Sequence, residues 1–204
     1  MPQPLSVSQR VAAIVVSEAT IARISGNAPY RSKDICLRLL GIITDHNDLT
    51  AFAGAIGRRI QLTEVSLVEN PEEPMTTESR VVCELQVTED MVNLEGNLHG
   101  GCSVYLVDVC SALPLSAWRA GHQVARSNAD ERQMGNFSGV SQSINTTFHT
   151  PAPLGTNLQV ISTSMICEGA LLCARCQIWD KDNHTLVASG LHLKMMPSQP
   201  KPRM

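Results

Sequence analysis

Apolar residues in the first sixty positions recur with helical spacing. Within residues 5–24 they fall on one face and predict a helix, which Gly26 and Pro29 end. The segment SKDICLRLLGIIT predicts a second helix with Ser32 as its N-cap. We therefore predict a helical N-terminal extension over residues 1–58. The apolar positions that share the face of the first helix are Val7, Val11, Ile14, Val15, Ile21 and Ile24.

From residue 59 onward the pattern changes to alternation of polar and apolar residues. IQLTEVSLVE and SRVVCELQVTE predict two strands, and an apolar helix follows over about residues 100–118. After a polar loop over residues 121–139, four strands are predicted in VSQSINTTFHT, TNLQVISTSMICEG, LLCARCQIWDK and TLVASGLHLKMM. One buried helix among antiparallel strands indicates an α+β domain over residues 59–197, and a flexible Pro-rich tail follows over 198–204.

Composition narrows the class of protein. The chain has 204 residues, 43% of them hydrophobic, with a net charge of -3 and 3% aromatic residues, so a globular domain without nucleic-acid partners is expected. We expect no membrane span, because Asp108 and Pro114 interrupt the longest apolar run. Seven cysteines without a framework favour a reducing compartment. With no secretory signal, and with Arg10 and Arg23 in an acid-poor N-terminus, a cytoplasmic or mitochondrial location is predicted.

The stretch NLHGGCSVYLVDVCSALPL carries the candidate chemistry. Gly100 and Gly101 lie where the central helix is predicted to begin. The first N–H groups of a helix have no internal partner, and the helix dipole is positive there. Glycine lets a ligand approach closely, so this helix start can bind an anion or polarise a carbonyl. A plain glycine-rich helix start is the simpler interpretation.

Asp108 is an ionisable residue in a run that is otherwise core-like. Burying an unpaired carboxylate costs several kcal/mol, so a structural Asp108 would need a partner, and Ser111 lies one turn later. A desolvated carboxylate can also act as a general base or nucleophile. Pro114 lies further along the same segment, and we expect a kink or an early end of the helix there.

The spacing of these groups constrains any shared chemistry. Gly100 and Asp108 are eight residues apart, which is about 12 Å along a helix. An oxyanion donor and a base acting on one carbon must lie closer together than that. Two antiparallel copies of the helix across a twofold axis can supply both groups. If both groups take part in catalysis, we therefore expect a dimer with two equivalent sites.

The segment NLEGNLHGGCSVYLVDVCSA, followed by GVSQSINTTFHTPAPLGTNLQV, resembles the hotdog-fold acyl-CoA thioesterases of the small phenylacetate-pathway type. That family has an Asn, a His-Gly-Gly helix start, an Asp nine residues after the His, and a later strand with a polar residue. The resemblance covers about residues 60–196 and not the N-terminal helices. It implies a hotdog fold, in which a curved antiparallel sheet wraps around a long helix.

The same resemblance implies roles for five residues. Asp108 matches the general base or nucleophile, and the Gly100 N–H matches the oxyanion donor. Asn93 and His99 match residues that position the thioester and the helix start. Ser141 matches the hydroxyl that orients the attacking water. In the family these groups come from two subunits, as the helix spacing also requires.

The implied function is hydrolysis of an acyl-CoA thioester. Coenzyme A would be part of the substrate, with no cofactor and no metal, and the protein would be a homodimer or a dimer of dimers. Gly101 would allow close approach of the substrate, and surface cations for the coenzyme A phosphates would be Arg126, Arg132 and Lys194. A hotdog dehydratase would favour a His base in a different pattern. A non-catalytic acyl-CoA-binding or regulatory hotdog module is the other alternative, although it would gain by losing Asp108.

Other residues carry weaker signals. Cys173 and Cys176 form a C-x-x-C in a strand, where residues three apart face opposite sides, so a metal site is not expected. We expect His149, His184 and His192 to be structural or exposed. Because every matched site residue follows residue 92, residues 1–50 are expected to be dispensable for chemistry, but not necessarily for solubility or substrate choice.

Overall fold

A six-stranded antiparallel sheet and one long helix form the body of the protein. The computed structural model describes residues 10–11, 13–44, 52–70, 73, 75–123, 139–167 and 169–196. The predicted α+β fold, with a central helix against a curved antiparallel sheet, is confirmed. The helices are α1 Glu18–Ala22, α2 Tyr30–Ile43, α3 Gly54–Gly57 and α4 Gly100–Gln123, and a 3-10 turn spans Glu89–Met91.

The sheet strands lie where the alternating segments predict them. Their order is β1-β2-β4-β5-β6-β3, and every neighbouring pair is antiparallel. β1 and β3 are therefore the two edges of this sheet. The strands are β1 Gln61–Glu69, β2 Thr77–Gln86, β3 Val140–Phe148, β4 Asn157–Ile166, β5 Leu171–Asp180 and β6 Thr185–Met195.

The central helix α4 is longer than predicted. It continues through Pro114 to Gln123, so the early end expected at the proline is wrong. Leu113 and Leu115, on either side of the proline, are both 0% exposed, and this tertiary packing outweighs the lost backbone hydrogen bond. By length and composition α4 is apolar enough to cross a membrane, but 67% of its apolar stretch is buried inside the fold, as in a core helix.

The first predicted helix is interrupted. Residues 10–11 and 13 are helical and residues 14–17 are not, so a single helix over residues 5–24 is wrong; residues 5–9 lie outside the described ranges. The interruption occurs because Ser17 adopts an extended backbone and its Oγ accepts the Thr20 N–H at 3.1 Å. A serine N-cap inside the apolar stripe thus starts a new helix, α1.

The second N-terminal helix, α2, packs onto α4. α2 begins at Tyr30 with Pro29 as N-cap, so the prediction that Ser32 caps it is wrong. Ser32 is buried, and its Oγ donates to the Ala117 carbonyl of α4 at 2.9 Å. Residues of α2, α4 and the sheet share one hydrophobic core. The domain boundaries at residues 58 and 197 stay predictions.

Most of the loop predicted over residues 121–139 lies outside the described ranges. α4 occupies its first three residues, and residue 139 is described again immediately before β3. Arg126 and Arg132 fall between these two points, so the structure says nothing of them.

Replacement of Leu39 by alanine tests the docking of α2. Leu39 is 3% exposed and belongs to the shared core, so Leu39→Ala should lower the free energy of unfolding by about 2–5 kcal/mol. Leu94→Ala is the matched control, because Leu94 is fully exposed and its removal should change stability by less than about 0.5 kcal/mol. Chemical denaturation measures both variants. Equal stability of the two variants would contradict a docked N-terminal segment.

Candidate active site

The start of α4 is built by a short loop that follows the 3-10 turn. The side-chain oxygen of Asn93 accepts the N–H groups of Glu95 and Asn97 at 3.0 and 3.1 Å. His99 is anchored by its own N–H, which donates to the Met91 carbonyl at 2.8 Å. Its ring Nδ1 then accepts the Gly101 N–H at 2.9 Å. His99 therefore caps the helix and fixes where α4 begins.

The Gly100 N–H is available at this helix start. Among the hydrogen bonds of the described residues, none uses this N–H, whereas the Gly101 N–H is taken by His99. Gly100 lies on a cavity of about 320 Å³ together with Asn93, Phe148 and His149. A free N–H at the positive end of a long helix suits a developing negative charge on a substrate oxygen.

Asp108 lies two turns further along α4, and its environment differs from the expected desolvated one. Its side chain is 47% exposed, so the carboxylate faces solvent as well as protein. The Ser141 hydroxyl donates to Asp108 Oδ1 at 3.4 Å, and His192 Nε2 lies 3.6 Å from the same oxygen. Ser111 does not bond to Asp108, contrary to the suggestion from sequence; its Oγ lies 2.6 Å from His192 Nδ1.

Two local features bring these groups together. A Cβ on Gly190 would lie 2.7 Å from Val107 Cγ1, so only glycine lets α4 approach β6 this closely. On β3, the ladder shifts between Ser141 and Ser143. The bulge allows Ser141 and Ile144, three residues apart, both to face α4, whereas a regular strand would turn one of them outward.

His192 is the site residue that sequence reasoning missed. It is 0% exposed, as a structural histidine would be, and its two ring nitrogens contact Ser111 and Ser141 at 2.6 and 2.9 Å, which places it beside Asp108. Burial, and secondly the Lys194 charge, lower the pKa of His192 to about 4, while Asp108 opposes that shift. The alternation of β6 was the available signal, because His192 shares its inner face with Ala188 and Gly190.

The hydrogen bonds assign one tautomer to His192. Ser141 donates its hydroxyl hydrogen to Asp108, so its oxygen accepts from His192 Nε2–H. In the neutral ring, Nδ1 is then an acceptor and takes the hydroxyl hydrogen of Ser111. Every donor in this chain of four residues points toward the Asp108 carboxylate.

Lys194 lies beside this chain and not on the surface. It pairs with Ser141 across the β3–β6 ladder and is 5% exposed, and burial lowers the pKa of its amine. This placement differs from the surface cation predicted to meet coenzyme A phosphates. Among the described residues no cluster of three or more His, Cys, Asp or Glu could hold a metal ion.

One chain brings the predicted residues together in two separate groups. Asn93 and Gly100 line the cavity at the helix start, with the capping His99 beside Gly100. Asp108 lines a second cavity of about 400 Å³, with Gly101 at one end and Ile144 on β3. Ser141 belongs with Asp108 through its hydrogen bond.

Comparison with known proteins identifies the family. The model of the thioesterase superfamily matches residues 95–187. Acyl-coenzyme A thioesterase 13 of Homo sapiens is 31% identical over 116 residues, which cover 56% of this chain and 71% of the human protein. The Mus musculus protein of the same name is 30% identical over the same coverage.

Solved structures show the same fold. Zebra fish thioesterase superfamily member 2 has a TM-score of 0.56 and 22% identity, covering 78% of this chain and 94% of its own. The E. coli PaaI protein from the phenylacetic acid degradation operon has a TM-score of 0.54 and 16% identity, covering 80% and 94%. The matched segment contains the helix start, Asp108 and Ser141. The chain therefore belongs to the thioesterase superfamily: it has the hotdog fold and is a thioester hydrolase.

Proposed function

We propose that this hydrolase cleaves acyl-CoA thioesters at two equivalent sites in a homodimer. Asp108 acts as the general base, and the Gly100 N–H acts as the oxyanion donor. Support comes chiefly from the Asp108 carboxylate, which Ser141 holds on one side while the other side faces a cavity. The names of the human and mouse relatives support an acyl-coenzyme A as the substrate class.

The proposed reaction needs only water and the substrate. Water attacks the carbonyl carbon while Asp108 accepts a proton from it, and Ser141 orients the water. The carbonyl oxygen becomes an oxyanion, which the Gly100 N–H and the dipole of α4 stabilise. The carbon–sulfur bond then breaks, and the proton passes to the leaving thiolate, which gives a free acid and coenzyme A. Direct attack by Asp108 on the carbonyl is the alternative first step.

The length of α4 supports a shared site between two chains. Gly100 and Asp108 are about 12 Å apart along the helix, and they line different cavities in one chain. β3 is an edge strand whose residues are mostly exposed and polar, so its outer side is available for pairing with a second copy. In the proposed dimer, Asn93, His99 and Gly100 of one subunit face Asp108 and Ser141 of the other.

The neutralising variant Asp108→Asn tests the base. Because Asp108 is half-exposed, the variant should keep its melting temperature, and loss of a general base should lower turnover by about 10²–10⁴. Thiol release from octanoyl-CoA and thermal melting are measured on the same preparation. Glu69→Gln, which neutralises an exposed carboxylate on β1, is the control and should keep full turnover. Near-normal turnover of a folded Asp108→Asn protein would exclude Asp108 as the base.

The buried His192 predicts how the stability of the protein depends on pH. Its pKa is about 4 when folded, below the ordinary value of 6.5, so the unfolded chain takes up this proton first as the pH falls. Stability contributed by the neutral ring is therefore present above pH 6.5 and is lost toward pH 4, by about 3 kcal/mol. Chemical denaturation between pH 7 and pH 4 should show that the free energy of unfolding falls less steeply in His192→Gln than in the unmodified protein. Parallel curves for the two proteins would contradict a buried neutral histidine.

Complementation between inactive chains tests the shared site. Gly100→Pro removes the N–H at the first helical position, where proline is tolerated, and Asp108→Ala removes the base. Refolded as an equal mixture, about half of the dimers are mixed, and one of the two sites in each mixed dimer carries neither change. Thiol release should recover to about a quarter of the unmodified level, since about half of all dimers are mixed and each mixed dimer has one intact site of two.

The controls for this experiment separate its outcomes. Gly100→Ala keeps the N–H and places a Cβ 3.3 Å from Phe148 Cζ, at the edge of an exposed ring that can move, so it should retain far more activity than Gly100→Pro. Native mass spectrometry confirms that mixed dimers are present. If mixed dimers form and no activity returns, both halves of each site come from one chain and the shared-site proposal fails.

A further inference from the structure

The N-terminal segment contributes to the cavity that holds the Asp108 carboxylate. Ile43, at the end of α2, and Phe52, just before α3, line it opposite Ile144 of β3. Val104 and Tyr105 of α4 form the intervening surface. Apart from Asp108 and the Tyr105 hydroxyl, the side chains of this lining are hydrocarbon.

Close packing fixes the segment beside α4. A Cβ on Gly57 would lie 2.6 Å from the Tyr105 hydroxyl and 2.7 Å from Thr44 Cβ, so α3, the end of α2 and α4 meet without space between them. The rings of Phe52 and Tyr105 meet edge to face, with centroids 5.9 Å apart and planes at 66°. The position of Phe52 is therefore set by aromatic contact with the helix that carries Asp108.

Phe52 has more apolar surface than its own chain covers. Its side chain is 84% exposed although it lies at the rim of the cavity. An exposed aromatic side chain next to a reactive carboxylate is suited to a ligand that is apolar where it meets the ring. A polar or charged group would lose its hydrogen bonds with water on entering, and the hydrocarbon lining would not replace them.

We infer that Ile43 and Phe52 form one wall of the acyl pocket and that the N-terminal segment selects aliphatic acyl groups long enough to reach Phe52. This inference rests on the proposed function, since it places the thioester carbon beside Asp108 and the acyl chain in the adjoining cavity. It assigns the extension to substrate choice, while the reacting groups remain in the sheet domain.

Hydrolysis of a series of acyl-CoAs tests the selection. kcat/KM is measured from acetyl-CoA to dodecanoyl-CoA for the unmodified protein, Phe52→Ala, and Phe52→Leu, which retains an apolar side chain. Phe52→Ala should lower the ratio of kcat/KM for long over short chains about tenfold, and Phe52→Leu should restore most of it. Tyr30→Ala is the matched control, because Tyr30 is an exposed aromatic residue of the same segment outside the cavity lining.

Binding of inert analogues separates this inference from the proposed function. The dissociation constants of S-alkyl-CoA thioethers, from S-methyl to S-dodecyl, are measured by calorimetry for the same variants. If long-chain thioethers bind more tightly than short ones and Phe52→Ala loses this difference, the pocket is supported. This holds even if the protein hydrolyses no thioester; the lack of hydrolysis would contradict only the proposed reaction. If Phe52→Ala hydrolyses acyl-CoAs with the same chain-length profile as the unmodified protein and binds the thioethers with the same affinities, the inference is wrong. The proposed reaction would not be affected by that result.

Discussion

The close contact between Val107 and Gly190 determines where Asp108 lies. A Cβ on Gly190 would overlap the Val107 side chain at 2.7 Å, so another residue there would push α4 away from β6. Asp108 follows Val107 directly, and its Oδ1 is already at 3.4 Å from Ser141. Because hydrogen bonds weaken steeply beyond this distance, a displacement of 1 Å would detach the carboxylate from the hydroxyl that orients it. Packing at one glycine thus sets the geometry of a polar group.

The two sides of the Asp108 carboxylate have different physical environments. On the protein side, hydrogen bonds link Ser141, His192 and Ser111, so the buried hydroxyl of Ser111 and both ring nitrogens of His192 have the partners that buried polar groups require. On the other side, the carboxylate remains accessible to water. A carboxylate that is held by fixed donors yet open to solvent can keep its orientation and still exchange a proton. Complete burial, which the apolar run around Asp108 first indicated, would have prevented this.

The sequence predicted those features that depend on local pattern. Alternation located all six strands, and the glycine pair located the first residue of α4. Burial on both faces carried α4 past Pro114, which local rules treat as a stop. Alternation places His192 on the inner face of β6, but its place in the site was missed because its partners Ser141 and Ser111 are 51 and 81 residues away in the chain. Long-range contacts of this kind cannot be obtained from periodicity.

The length of α4 bears on two proposals: that two subunits share each site, and that the N-terminal segment shapes the cavity beside Asp108. The free N–H of Gly100 lies at one end of α4 and the Asp108 carboxylate lies two turns later, so in the proposed mechanism a second copy of the helix completes each site. The sheet covers one side of α4, and α2 covers another through Ser32 and Cys36, which donate to α4 carbonyls. The surface that remains runs from Gly101 to Val109, and there the walls come from Ile43 and Phe52. A change in the N-terminal segment can therefore reshape the cavity beside Asp108 without moving Asp108 or Gly100.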